Sequence, residues 1–235
     1  MTPTFDDYEP AIRSLPSDAT LADVANDRFL LARDGLLEAF YAPLHGVTST
    51  ADVVIIGLTP GRSQMVRAFC EAKKLLHEGW RPPLLFGEVR RRMAFAGPMR
   101  TNLVHMLDKI GLADHLGLQT TAKLFDSASA QLHSTSVLRY PVLKDGADYK
   151  GSPKVSASQL LTGMAQANLT VELERLDNAF VIPLGRAVED ALAHLGFRRS
   201  TRILWGFPHP SGGNGHRVKQ FNREYRSLRR VVRAW

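Results

Sequence analysis

Short apolar runs alternate with longer helical stretches through most of this 235-residue chain. The run at 52–58 (DVVIIGL) is β-branched and uninterrupted, which is typical of a strand covered on both faces. Further strands are predicted at 134–140, 179–185 and 202–207, with helices between them. Strands separated by helices indicate an α/β fold, in which a central, mostly parallel four-stranded sheet is flanked by helices on both faces.

The two ends of the chain are predicted to be helical. The first 50 residues form a helical extension, with an amphipathic helix at 21–41 that Thr20 can cap. The last helix, at about 215–235, is basic. Between the central elements, the segment 143–153 (LKDGADYKGSP) has the composition of a linker.

Composition limits the class of protein. With 44% apolar residues the chain can bury the core of one large domain, so residues 1–235 are expected to form a single domain. No secretion signal or membrane span is recognisable, so we expect a soluble, cytoplasmic monomer with no membrane partner. The lone cysteine, Cys70, excludes disulfides, zinc clusters and protein-held iron–sulfur clusters within one chain. No cofactor and no metal are expected.

Positive charge is concentrated at the C-terminal end. Residues 198–235 contain nine Arg and Lys219 against one acid, Glu224, so this segment carries +9 while the whole chain carries +7. The first 197 residues therefore sum to −2. A basic segment on a near-neutral body favours a polyanionic partner, because each Lys or Arg near a phosphate releases condensed counterions. A solvated terminal helix is the alternative.

Two glycine-containing loops each follow a predicted strand: GLTPG at 57–61, the first loop, and HPSGGN at 209–214, the second loop. Loops that leave the carboxyl ends of parallel strands meet at one edge of the sheet, where such folds bind ligands. The first loop has neither the Lys-Ser/Thr of a P-loop nor the spacing of a dinucleotide site. It offers backbone N–H groups and a helix N-terminus, which can approach a phosphate or hold a water.

The second loop has more reactive side chains than the first. His209 supplies a titratable imidazole, Pro210 a rigid bend and Ser211 a hydroxyl, and two glycines allow close backbone approach. Five other histidines show no metal-ligand spacing and mostly fall on predicted helices, where a structural role is favoured: His77, His105, His115, His133 and His194.

Five segments between about Ala51 and Phe221 resemble, in order, the uracil-DNA glycosylase superfamily. They are VVIIGLTPG, FAGPMRTNLVHMLDKIGL (95–112), STSVLRYP (134–141), FVIPLG and HPSGGNGHR. The second segment is the most specific, because it is similar to a stretch in the iron–sulfur-containing glycosylases where a phenylalanine stacks on the flipped base. With one cysteine, this chain resembles a divergent member without an iron–sulfur cluster.

The resemblance implies a monofunctional DNA N-glycosylase, a hydrolase of N-glycosyl bonds. Such an enzyme flips a pyrimidine out of DNA and hydrolyses its glycosidic bond, leaving an abasic site. The partner is DNA, double- or single-stranded, bound through the basic C-terminal region. The substrate is uracil or a modified pyrimidine, such as a hydroxymethylated or glucosylated phage cytosine, and the role is DNA repair or antiviral defence.

The resemblance also implies roles for individual residues. The candidate catalytic residues are a donor to the departing base and two groups that hold the water, namely His209, Thr59 and Gln64. The candidate base-binding residues are Gly57, Leu58, Pro60, Phe95 and Ser136. The candidate DNA-binding residues are Gly61, Arg62, Ser63, Pro210, Ser211, Gly212, Gly213, Asn214, His216, Arg217 and Lys219.

Two departures from the superfamily pattern bear on the chemistry. Leu58 and Thr59 stand where relatives often carry an Asp, Asn or Glu that activates or orients the water. A dissociative reaction tolerates this loss, since it needs positioning more than a strong base. Ser136 replaces an asparagine that reads the edge of uracil, and one hydroxyl on a shorter stem leaves a roomier pocket with open base selectivity.

Two other functions fit parts of the pattern. A DNA-binding module that keeps the fold without the chemistry predicts salt-dependent DNA affinity and no base release. An RNA- or nucleotide-binding α/β protein predicts equal affinity for RNA and DNA.

Overall fold

The computed structural model describes residues 4–95 and 97–235, so residues 1–3 of the expected N-terminal extension lie outside it. The strands are β1 (Leu30–Asp34), β2 (Leu37–Phe40), β3 (Val53–Gly57), β4 (Leu132–Ser136), β5 (Val142–Lys144), β6 (Ala147–Asp148) and β7 (Phe180–Pro183). The α-helices are α1 (Glu9–Arg13), α2 (Leu21–Val24), α3 (Arg62–His77), α4 (Leu84–Met93), α5 (Pro98–Lys109), α6 (Leu112–His115), α7 (Gln159–Ala165), α8 (Val171–Arg175), α9 (Arg186–His194) and α10 (Arg217–Ala234), with a π-helical turn (Gln166–Thr170) joining α7 to α8.

A parallel sheet in the order β4-β3-β7 confirms the α/β class. Four parallel strands were expected, and that expectation is wrong, because the segment 202–207 pairs only through Ile203 opposite Val181. The pairing with β7 ends there because the next two backbone N–H groups donate to other acceptors. Trp205 N–H donates to the carbonyl of Ile203 at 3.0 Å, and Gly206 N–H donates to the Glu189 carboxylate.

Helices cover both faces of the parallel sheet, as the uninterrupted apolar run of β3 predicts. Val53 and Ile55 lie in a buried cluster with residues of α5, α6 and α10. Val54 and Ile56 point to the opposite face, into a cluster with residues of α7, α8 and α9. All five residues of β3 are buried, so this strand is the centre of the molecule.

An antiparallel sheet in the order β1-β2-β5-β6 is the largest correction to the predicted fold. The predicted helix at 21–41 is wrong, since α2 ends at Val24 and residues 30–40 form the hairpin of β1 and β2. The linker expected at 143–153 is also wrong, since β5 pairs with β2 and with β6.

Each missed hairpin has an Asp-Gly pair at its turn, which is a strong hairpin signal. Gly35 has a φ of 57°, and the pair Asp145-Gly146 has φ values of 51° and 68°. Such left-handed conformations suit Gly and Asp and end a helix. The turn residues therefore overrode the helical spacing of the flanking leucines.

The longer helices α3, α5, α9 and α10 and the pair α7 and α8 agree with the sequence, whereas no pattern indicated α4 or α6. The basic terminal helix is confirmed as α10, which buries Phe221, Leu228 and Val232 against the sheet. Over residues 4–95 and 97–235, no helix combines the length and apolarity needed to cross a membrane.

Candidate functional site

The first and second loops meet in one cleft, as the sequence analysis predicts. The cleft has a volume of about 600 Å³ and lies at the carboxyl ends of β3 and β4. It brings together residues that the sequence singled out: Gly57, Leu58, Thr59, Gln64, Phe95, Ser136, His209, Ser211, Gly213 and Asn214. Other predicted residues lie outside this lining: Pro60, Gly61, Arg62, Ser63, Pro210, Gly212, His216, Arg217 and Lys219.

His209 is held in place by its neighbours on the sheet and in its own loop. Gly185, at the end of β7, has a φ of 87°, and a Cβ on it would lie 2.9 Å from the Cβ of His209. The backbone N–H of Ser211 donates to Nδ1 of His209 at 3.3 Å. Since Nδ1 accepts this hydrogen bond, the proton of the neutral ring is on Nε2.

The protonation of His209 follows from its burial. Burial lowers the pKa of His209 below its ordinary value of 6.5, because the charged imidazolium loses hydration. At neutral pH the ring is therefore a neutral hydrogen-bond donor through Nε2.

Two predicted DNA-binding side chains hold the second loop instead of facing outward. Arg217 donates from Nη1 to the carbonyls of Ser211 (2.8 Å) and Pro210 (3.4 Å). Asn214 donates from Nδ2 to the carbonyl of His209 at 3.1 Å. Asn102 on α5 adds a bond to the carbonyl of Pro210 at 2.9 Å. These bonds make the second loop rigid, which sequence spacing alone does not reveal.

Phe95 and Ser136 flank Gly57, at the boundary between the cleft and a smaller chamber of about 60 Å³. A Cβ on Gly57 would lie 3.4 Å from Oγ of Ser136 and 3.7 Å from the Phe95 ring, so glycine keeps this space open. Phe95 is 7% exposed and has a φ of 48°, which is rare for a bulky residue. Strained backbone of this kind occurs at functional sites.

The polar side chains of the chamber are mainly hydrogen-bond donors. Gln64 accepts the N–H of Gly61 through Oε1 at 3.2 Å, which leaves its amide NH₂ for the chamber. Arg139 also lines the chamber and can only donate. Four further polar residues complete the lining, namely Arg90, Ser134, Thr135 and Ser136. The chamber therefore suits a planar group that carries carbonyl oxygens.

A buried ionic network fixes the position of Arg139. Glu172 is 2% exposed and accepts from Nε of Arg139 at 2.9 Å and from Nε2 of His133 at 3.1 Å. Burial by itself raises the pKa of Glu172, but the bond from His133 and the charge of Arg139 hold it at about 2. Burial lowers the pKa of His133, so this histidine has a structural role as a neutral donor.

Thr59 is placed in the cleft, but its hydroxyl already binds the backbone next to β5. It donates to the carbonyl of Tyr140 at 3.2 Å and accepts the N–H of Val142 at 3.1 Å. Its single proton is therefore used, so Thr59 has no donor left for a water. Of the two residues predicted to hold the water, Gln64 keeps the freer polar group.

Three charged residues that the sequence analysis missed also line the cleft. Asp148 and Lys150 come from the segment expected to be a linker, and Arg186 begins α9. The Asp-Gly pair at 145–146 was the signal that could have revealed the hairpin that carries the first two.

An arginine stripe runs along the exposed face of α10. Its four members share one groove with Tyr225 and are spaced so that they lie on one helix face: Arg226, Arg229, Arg230 and Arg233. In the part of the chain that the structure describes, none of the four forms an ion pair with an acid. Trp235 stacks on Phe180 and His115, with ring centroids 4.5 and 4.6 Å apart, and so fixes the end of the helix.

Among the described residues, no group of three or more His, Cys, Asp or Glu side chains is arranged to hold a metal ion.

No protein-family model matches the chain, and no solved structure matches it. A Bacillus subtilis (strain 168) protein, "Uncharacterized protein YoxB", is 36% identical, with the alignment covering 97% of this chain and 92% of that protein. At this identity and coverage, the chain belongs to the same family as YoxB.

Proposed function

We propose that this protein is a monofunctional DNA glycosylase, built on a divergent form of the uracil-DNA glycosylase fold. One observation carries the proposal: His209, a neutral donor through Nε2, shares a cleft with Phe95, Ser136 and the first loop. The cleft leads to a chamber rich in donors. The helix α10 starts beside the second loop and carries an exposed row of arginines farther along its length.

The role of His209 follows from where charge develops. Breaking an N-glycosidic bond leaves negative charge on the base, and a preorganised donor aimed at that charge stabilises the transition state more than the ground state. A neutral imidazole can donate to the base without itself needing a counter-charge. Its rigid loop, held by Arg217 and Asn214, lowers the cost of reorganisation.

The chamber favours a particular base edge. Gln64 and Arg139 offer donors, and Ser136 offers a hydroxyl that can donate or accept. Uracil has a carbonyl at O4 where cytosine has an amino group, so a donor-rich chamber favours uracil or a substituted uracil. Phe95 would supply the stacking face for the flipped base.

DNA would bind across the cleft and along α10. The arginine stripe supplies positive charge with no acid partner among the described residues, which suits phosphates. Lys150 and Arg186 add positive charge at the cleft itself. His216, Lys219 and the exposed backbone of Gly212 and Gly213 lie near the start of α10, where they can approach the strand beside the flipped nucleotide.

The test is release of a base from DNA. Single- and double-stranded oligonucleotides would carry uracil, hypoxanthine, 5-hydroxymethylcytosine or its glucosylated form, and phage DNA with modified cytosines would be included. Alkali cleavage then converts each abasic site into a strand break. We expect breaks with uracil, and breaks with modified cytosine alone would transfer the proposal to that base. The absence of strand breaks on every substrate would refute the proposal that the protein is a glycosylase.

A non-catalytic DNA-binding module is the second candidate. The hydrogen bonds of Thr59 favour it, because a hydroxyl that is already bound to backbone cannot donate to an attacking water. This candidate predicts DNA affinity that falls steeply with salt, without base release on any oligonucleotide. Equal affinity for RNA and DNA of the same sequence would instead favour an RNA-binding role.

A further inference from the structure

Asp148 is the one residue with a carboxylate among the described residues that line the cleft. It is the last residue of β6, the second strand of the hairpin formed by β5 and β6, and its side chain is 44% exposed. Its position in the chain is remote from both loops, so only the fold brings it to the cleft.

The Asp148 carboxylate lies directly against the first loop. Its Oδ1 accepts the backbone N–H of Arg62 at 2.7 Å and lies 3.4 Å from Nε of the same residue. A Cβ on Gly61 would lie 3.4 to 3.5 Å from the carboxyl atoms, so a glycine here leaves the approach open. Across the described residues, Oδ2 has no hydrogen-bond partner and is free to meet a ligand.

Hydrolysis of a glycosidic bond develops positive charge on the sugar and requires a water to lose a proton. Carboxylates serve both needs in enzymes that cleave glycosidic bonds. Neither Leu58 nor Thr59 can supply one, and the Thr59 hydroxyl is bound to backbone.

We infer that Asp148 is the catalytic carboxylate of this cleft, facing the sugar of a flipped nucleotide and accepting a proton from the attacking water. The inference rests on the proposed glycosylase function. It gives a function to a hairpin whose sequence has the composition of a linker.

The reaction balances with these two groups. The bond from C1′ of the sugar to the base nitrogen breaks, and its electron pair leaves with the base, whose oxygen accepts a hydrogen bond from His209 Nε2. The water oxygen bonds to C1′ and one water proton passes to Asp148. That proton returns to the solvent, which protonates the released base.

Binding of two abasic-site analogues tests the inference without turnover. A duplex with a pyrrolidine at one position places a protonated amine where the sugar develops charge, and a tetrahydrofuran duplex is its neutral counterpart. We expect the wild-type protein to bind the pyrrolidine duplex about tenfold more tightly, as for a partly desolvated ion pair. Asp148→Asn keeps an oxygen for the Arg62 N–H but loses the charge, and should reduce this ratio to about one.

The matched control is Asp145→Asn, in the turn of the same hairpin. Asp145 is exposed, lies outside the cleft lining and has a φ of 51°, which asparagine tolerates. This variant should keep the tenfold ratio. An unchanged ratio in Asp148→Asn, or no preference in the wild type, would overturn the inference.

Base release from the uracil duplex is measured on the same samples. Release by the wild type that falls by at least tenfold in Asp148→Asn supports the inference. Full activity in Asp148→Asn would overturn it while leaving the glycosylase proposal intact. Absence of release by the wild type from every uracil- or modified-cytosine-containing DNA, with an Asp148-dependent preference for the pyrrolidine duplex, would instead refute the glycosylase.

Discussion

The first and second loops occupy the same cleft but contribute to it in different ways. The second loop presents its own chemistry, since His209 offers a neutral Nε2 donor and the surrounding bonds hold its backbone still. The first loop binds other parts of the protein. Thr59 is bonded to the backbone near β5, and the N–H groups of Gly61 and Arg62 are taken by Gln64 and Asp148.

A loop can therefore shape a site without supplying its reactive groups. The small residues of the first loop leave space that Phe95, Ser136 and Asp148 occupy. Sequence motifs identify where such a loop lies, but the chemistry at that place can come from remote segments.

Gly185→Ala gives the largest expected effect on the second loop. A Cβ there would lie 2.9 Å from that of His209, and a φ of 87° is unfavourable for alanine. We expect base release to fall about 100-fold through displacement of the imidazole. Gly196→Ala is the matched control, since Gly196 has a φ of 94° but no neighbour within 4 Å. Equal losses of activity in both variants would show a general folding defect.

The pH dependence of base release tests the protonation state of His209. Because burial lowers its pKa below 6.5, the neutral form is present at and above neutral pH. The value of kcat/KM should therefore rise tenfold per pH unit on the acid side and level off from a midpoint below 6.5. In His209→Asn, which cannot titrate, this midpoint should disappear, and a midpoint that persists would assign the titration to another group.

Arg217→Ala tests whether this side chain holds the second loop or contacts DNA. Loss of its short bond to the carbonyl of Ser211 and its longer bond to that of Pro210 should slow single-turnover base release about fivefold, which corresponds to about 1 kcal/mol. Lys219→Ala, at an exposed residue nearby, should weaken DNA binding and leave the rate at saturating protein unchanged. If Arg217→Ala also weakened DNA binding and left the rate at saturating protein unchanged, Arg217 would be a phosphate-binding residue.

Thr59→Val should have the smallest effect on chemistry. It leaves the N–H of Val142 and the carbonyl of Tyr140 without this partner, so the free energy of unfolding should fall by about 1 to 2 kcal/mol. The rate of base release should change by less than about threefold, a difference below about 0.7 kcal/mol. Urea unfolding and single-turnover kinetics measure the two effects, and a large rate loss with normal stability would make Thr59 a catalytic residue.

Much of the fold can be predicted from local pattern, because buried parallel strands and amphipathic helices carry it in consecutive residues. The strand at Val53–Gly57, the helix at Arg62–His77 and the basic terminal helix are examples. The hairpin at Leu30–Phe40 was missed because its leucines and Phe40 have helical spacing with the residues before them, and the Asp34-Gly35 turn outweighed that spacing.

The site was only partly predictable, for a different reason. His209, Phe95 and Ser136 belong to recognisable motifs, so the sequence could assign them to one site, and all three line the cleft. Asp148 reaches the first loop across 86 residues of sequence, and Arg217 turns inward to its own loop. No periodicity encodes such side-chain contacts, because they depend on how remote elements pack.

One experiment compares the two loops directly: single-turnover release of free uracil from a duplex, measured side by side for the wild type, His209→Ala and Thr59→Val. We expect wild-type release, a loss of at least about 100-fold in His209→Ala with DNA affinity nearly unchanged, and a loss below about threefold in Thr59→Val. DNA binding without release of any base by the wild type, or equal rates in His209→Ala and the wild type, would contradict the account.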